Sequence, residues 1–167
     1  MVSAWYFNDS SKEDPRGMNQ YSPNRCVSLD ELAKLGVLYW HFDVTQDRFE
    51  DRVDQLMQER QYKNRDLVGL KRLTAKISIS KETLPNYDEK LKSFFTEHLH
   101  DDEEIRLIVE GAGYFDIRSQ QDEWIRIQTV PGDMILLPAG IYHRFILDTT
   151  NYIKAMRIFK EVLLVIE

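Results

Sequence analysis

Glu97-His-Leu-His-Asp-Asp-Glu-Glu-Ile-Arg-Leu-Ile-Val-Glu-Gly-Ala-Gly113 marks the point where the character of this chain changes. From His98 onward the sequence runs in short groups of β-branched and aromatic residues. Turn-forming residues separate them at Gly111 and Gly113, then at 119–123, 130–133, 139–140 and 148–151. Strands of that length and spacing, with no helix between them, imply an antiparallel sandwich or barrel, with a double-sheet jelly roll as the leading expectation. Side chains on a strand alternate faces, so His98, His100, Glu104 and Arg106 share one parity, while Ile105, Leu107 and Val109 take the other. Parity selects Glu104 over Glu103, with 101–103 read as a turn or bulge that re-aims the chain.

A second stretch completes the constellation: Gly132-Asp-Met-Ile-Leu-Leu-Pro138-Ala-Gly140-Ile-Tyr-His143. Its glycines supply turn conformations, Pro138 restricts the approach, and a strand starting at Tyr142 projects His143 and Phe145 to one face. Taken alone, each histidine reads at least as well as an ordinary surface or core residue. Three of the chain's four histidines standing in such positions shifts the balance. Three imidazoles and a carboxylate make a mixed nitrogen and oxygen site that suits iron, nickel, manganese or zinc and lacks the thiolates of a structural zinc site. In an octahedral site two adjacent positions would stay open for a substrate with two neighbouring oxygens.

Upstream, a short strand is expected at 4–7, followed by an irregular surface stretch over 9–27 that carries little information. Ser28-Leu-Asp-Glu31 is a capping box, and Gly36 stands where the helix it starts would end. A buried strand over 37–42 follows, then a helix carrying Phe49, Val53, Leu56, Met57 and Arg60. Residues 63–83 fit helix, strand and loop equally. Asn86 can cap a third helix, with Glu89 at its third position, that leads to the first histidine. The whole of 1–167 is expected to be one domain: strands and helices to residue 97, a metal-binding barrel core over 98–159, and a tail over 160–167.

The 28 acidic against 22 basic residues disfavour a nucleic-acid binder, which needs clustered cations, and favour a small polar substrate. With Cys26 alone no intrachain disulfide forms, and Cys26 reads as a loop bystander. No signal peptide or membrane span is legible, so the cytoplasm is expected, with the nucleus as an open second location. Gly111-Ala-Gly113 is a hairpin turn rather than a dinucleotide fingerprint, and His41 reads as a packed or surface histidine.

The first stretch resembles the cupin pattern H-x-H-x3-E-x6-G from His98 to Gly111, and the second resembles G-x5-P-x-G-x2-H from Gly132 to His143. The pattern's leading Gly falls at Lys92 and its closing Asn at Leu147. More narrowly, the chain resembles the acireductone dioxygenase family up to Phe159. That likeness is carried by Ala4-Trp-Tyr, Leu35-Gly-Val-Leu-Tyr-Trp40, Leu84-Pro-Asn-Tyr87, Glu97-His-Leu-His100, Glu104-Ile-Arg106, Gly113-Tyr-Phe-Asp116, Trp124-Ile-Arg-Ile127, Leu137-Pro-Ala-Gly-Ile-Tyr-His-Arg-Phe145 and Lys154-Ala-Met-Arg157.

The resemblance implies a mainly β cupin-type double-sheet jelly-roll barrel with a few peripheral α-helices. It implies His98, His100, Glu104 and His143 as ligands of one Fe(2+) or Ni(2+), Arg106 and Arg157 as residues steadying an anionic substrate, and Phe94 and Phe145 as apolar pocket walls. The implied reaction joins acireductone with O2 in methionine salvage. The iron form gives formate and 4-methylthio-2-oxobutanoate, and the nickel form gives methylthiopropanoate, formate and carbon monoxide. A monomer is expected. Two departures stand out: extra sequence within about 64–78, and an ending Lys160-Glu-Val-Leu-Leu-Val-Ile-Glu167 unlike the family's. Two alternatives stay open: another cupin metalloenzyme, and, because of the ending, a non-catalytic binding protein.

Overall fold

A computed structural model of the chain describes residues 2–66, 76–79 and 87–160. In chain order the elements are β1 (Ser3–Tyr6), β2 (Cys26–Val27), α1 (Leu29–Lys34), β3 (Leu38–His41), α2 (Phe49–Glu59), β4 (Asn64–Asp66), β5 (Lys76–Ile79) and α3 (Tyr87–Phe95). Then come β6 (Glu104–Gly111), β7 (Gly113–Arg118), β8 (Trp124–Thr129), β9 (Asp133–Leu137), β10 (His143–Leu147) and β11 (Ile153–Phe159). All strand pairings are antiparallel, and they make two sheets. The first runs β10-β7-β8-β1-β2, and the second runs β3-β9-β6-β11-β4 with β5 also on β11. This is the mainly β double-sheet barrel expected from the turn spacing.

Alternation along each strand sorts the apolar residues into two cores. Ile108, Ile135, Leu137, Ile153 and Ala155 of the second sheet meet Phe115, Ile117, Ile125 and Ile127 of the first, filling the space between the sheets. Ile105, Leu107, Met134, Leu136, Met156 and Ile158 point the other way, under Val53 and Met57 of α2. Glu104 and Arg106, in phase with Ile108, therefore face the barrel interior. Glu103 lies outside, where its carboxylate accepts from the Tyr62 hydroxyl at 2.9 Å.

Local signals account for the peripheral elements. Ser28 Oγ accepts from the Glu31 N–H at 3.1 Å while Glu31 accepts from the Ser28 N–H at 2.7 Å, and Gly36 closes the α1 turn at φ +87°. The proposed cap at Asn86 and the tail over 161–167 lie outside the described residues. The ambiguous 63–83 stretch contributes β4 and β5, both paired with β11. Cys26, read above as a loop residue, lies instead on β2 opposite Trp5, and is exposed. No helix among the described residues is long and apolar enough to cross a membrane.

The irregular stretch after β1 has a definite role. Arg126 Nη1 donates to the carbonyls of Pro15 and Gly17, each at 2.6 Å, and Trp5 Nε1 donates to Met18 O at 2.8 Å. The segment is thereby held over the outer face of the first sheet. Beneath it, Asp116 accepts from Arg126 Nε and Nη2 and from Arg144 Nε, all at 2.8 Å, with Arg126 and Asp116 both 0% exposed.

Candidate metal centre

Four donor side chains meet at one end of the barrel. His98 and His143 face each other as an isolated antiparallel bridge, with His98 N–H to His143 O at 3.0 Å and the return bond at 2.9 Å. The Gly140 N–H donates to His100 O at 2.9 Å, which ties the turn before β10 to the segment carrying the first two histidines. Glu104 opens β6 in the second sheet, and His143 opens β10 in the first. One donor atom from each of His98, His100, Glu104 and His143 lies within 4.8 Å of all the others.

The orientation of the rings is fixed from behind. Nδ1 of His98 lies 2.7 Å from Thr96 O, and Nδ1 of His143 lies 3.0 Å from Ile141 O. A carbonyl only accepts, so each Nδ1 carries the proton, and in the neutral ring the Nε2 lone pair is left facing the cluster. His143 Nε2 and His100 Nε2 both stand 3.0 Å from Glu104 Oε2. Lone pairs of imidazole and carboxylate converging at that distance need a shared proton or a cation between them. The donor chemistry thus fits a divalent transition metal.

Electrostatics keep the carboxylate ready. Burial would raise the Glu104 pKa, but Arg106, with Nη2 3.3 Å from Oε1, together with His100 and His143, outweighs it and holds the group well below the usual carboxylate range. The same contact with Glu104 raises His100 above its ordinary value.

The remaining predicted residues lie on β6, β11, α3 and β10. Arg157 on β11 is in register opposite Arg106 on β6, and it shares the interior face with Ala155. Two like charges directly across a ladder are unfavourable by themselves, and on the Arg106 side Glu104 offsets the charge, with Oε1 3.3 Å from Nη2. Phe94 of α3 and Phe145 of β10 pack against the inter-sheet core, and Phe145 lies on the same face of β10 as His143. Its ring sits 4.9 Å from that of Phe115 and fills the space over Gly113, where a Cβ would stand 2.6 Å from Phe145 Cζ.

His41 belongs elsewhere. β9 runs from Asp133, opposite His41, to Leu137, opposite Glu104, a separation of roughly 13 Å at the usual rise per residue. There Asp133 accepts from the Tyr39 hydroxyl at 2.6 Å and the Val130 N–H at 3.0 Å, with His41 Nδ1 at 3.5 Å. The Arg118–Glu97 ion pair, 2.9 Å between Nε and Oε1, leaves no mark in the sequence, because 21 positions separate the partners. Only the adjacency of Glu97 to His98 could have drawn attention to it.

Residues 3–163 match the ARD/ARD' family, four positions beyond the Phe159 limit read from the sequence. Curated relatives include the acireductone dioxygenase of Rattus norvegicus, 52% identical over 159 residues, which cover 95% of this chain and 83% of that protein. That of Homo sapiens is 48% identical with the same coverages, and acireductone dioxygenase 2 of Vitis vinifera is 49% identical, covering 95% and 75%. Among solved structures, acireductone dioxygenase from Bacillus anthracis with a cadmium ion in its active centre superposes with a TM-score of 0.72 over 97% of this chain and 94% of that one. At 24% identity that likeness speaks for the fold.

Proposed function

The chain belongs to the ARD/ARD' family, and from that membership together with the donor cluster at the end of the barrel we infer that it is a metal-dependent dioxygenase acting on acireductone. The observation that carries the reading is the convergence of three imidazoles and one carboxylate within 4.8 Å, in a chain about half identical to named acireductone dioxygenases. In this reading His98, His100, Glu104 and His143 hold one Fe(2+) or Ni(2+) per chain. The bound cation would supply Lewis acidity and a template for a substrate with two adjacent oxygens.

The chain's own residues do the rest. Thr96 O and Ile141 O keep the protons of His98 and His143 on Nδ1, so that Nε2 stays free to bind. Arg106 and Arg157 offset the negative charge of the enediolate, and the low-dielectric barrel end strengthens that attraction. Phe94 and Phe145 form the apolar side of the pocket, suited to a methylthio tail and to excluding water. The iron form is proposed to yield formate and 4-methylthio-2-oxobutanoate, and the nickel form methylthiopropanoate, formate and carbon monoxide. The proposed setting is methionine salvage in a monomer of the cytoplasm, with the nucleus as a second location.

Anaerobic reconstitution with Fe(II) or Ni(II), followed by acireductone and O2, tests this directly. One metal per chain with metal-dependent products supports the reading. A folded, metal-loaded chain that consumes no acireductone refutes the activity, and a chain that takes up no metal refutes the ligand set. Arg106→Met and Arg157→Met should raise KM for acireductone while metal stoichiometry stays at one.

A further inference from the structure

Two of the four donors lie outside the strand ladders. His98 is joined to its surroundings by an isolated bridge, and residues 99–103 belong to no strand. A segment of that kind holds a donor in place only if something stiffer anchors it.

The anchor is visible at the residue before His98. Glu97 accepts both arms of the Arg118 guanidinium, Nε at 2.9 Å and Nη2 at 3.1 Å, a two-pronged pairing that fixes direction as well as distance. Arg118 closes β7, and its own N–H donates at 3.0 Å to Tyr142 O, the residue before His143. One residue thus grips the neighbour of His98 with its side chain and the neighbour of His143 with its main chain. The guanidinium is itself held, with Nη1 donating to Asp122 O at 3.0 Å and Cζ 3.8 Å from the centroid of the Trp124 ring.

We propose that Arg118 and Glu97 are a positioning pair that sets the spacing and aim of His98 relative to His143 in the metal centre. The inference rests on the reading of the four donors as metal ligands. Neither residue touches a donor atom, so neither is a catalytic residue. Exposed ion pairs add little to folding, whereas outer partners of a metal ligand typically govern affinity by about 10- to 100-fold. The pair should therefore register in metal binding far more than in stability.

The test is an anaerobic Co(II) titration of the full chain, recording stoichiometry, Kd and the visible absorption spectrum, alongside thermal melting of the metal-free form. Glu97→Gln, Arg118→Lys and the Ala/Ala double-mutant cycle at the two positions are compared with wild type. Glu97→Gln and Arg118→Lys are each expected to weaken Co(II) by about 10-fold and to alter the spectrum, with the metal-free melting temperature nearly unchanged. In the cycle, the double variant should lose no more affinity than the worse single one. Variants that bind Co(II) as wild type does, or that lose affinity only in step with melting temperature, overturn the clamp and leave the ligand set standing. A wild type that binds no Co(II) overturns both.

Discussion

Replacing Asp116 with Ala should be among the most destabilising single changes in this protein. The carboxylate is fully buried and accepts three charge-assisted hydrogen bonds of 2.8 Å, two from Arg126 and one from Arg144. Without it, Arg126 stays buried with only the Pro15 and Gly17 carbonyls as acceptors. Arg144, whose Nη2 is buried with no acceptor among the described residues, keeps its contacts with the Phe7, Phe95 and Trp124 rings. Breaking one side of a buried ion pair costs about 3–5 kcal/mol. For a chain of this size that lowers Tm by roughly 6–20 °C. Differential scanning calorimetry of the metal-free Asp116→Ala protein measures the loss. Limited proteolysis should show new cleavage within 8–20, since Arg126 ties that stretch down. Asp116→Asn keeps one acceptor oxygen and should fall between the two. A melting temperature within about 2 °C of wild type would refute the reasoning, because it would mean that Arg126 is not committed to Asp116.

Three further outcomes follow from the same geometry. Glu104→Gln removes the charge on which His100, His143 and Arg106 converge, so it should abolish stoichiometric metal uptake, read by elemental analysis after gel filtration, while the barrel still melts cooperatively. Gly113→Ala puts a methyl group 2.6 Å from Phe145 Cζ and 2.9 Å from Ile146 O, so it should cost about 1–3 kcal/mol in thermal melts and, where Phe145 walls the pocket as proposed, raise KM. Arg25 holds Glu123 below the usual carboxylate range, so their bond stabilises the fold above the unfolded carboxylate pKa and is lost as the pH falls through the lower folded value. The difference in Tm between wild type and Glu123→Gln should therefore be small at neutral pH, shrink with added salt, and vanish in acid.

The donor cluster was legible in part from local signals and in part from the family resemblance, which joined His143 to the set. Period-two alternation put Glu104 rather than Glu103 inside, and five groups of turn residues marked strand boundaries that set His143 on a strand of its own, while its bridge to His98 appears only in the structure. What escaped depends on distant partners. Within Trp124-Ile-Arg-Ile127, Arg126 is covered by a segment more than 100 positions away, and nothing in the local pattern announces that. Residues 63–83 stayed ambiguous because β4 and β5 take their pairing from β11, near the other end of the described chain. The pairing of Arg118 with Glu97 is hidden for the same reason.

The division of the donors between two sheets has a mechanical consequence. Glu104 and His143 are 39 positions apart and belong to different layers, and one contact of 3.0 Å joins them. A cation shared between them would close that long loop as a covalent rivet might, in a chain whose single cysteine can form no internal bridge. At a free metal concentration 1,000 times Kd the added stability is about 4 kcal/mol, concentrated where the layers part. Metal supply would then govern how often the barrel's end breathes open, and amide exchange along β6 and β10 would slow on loading well before that of β1 or β3.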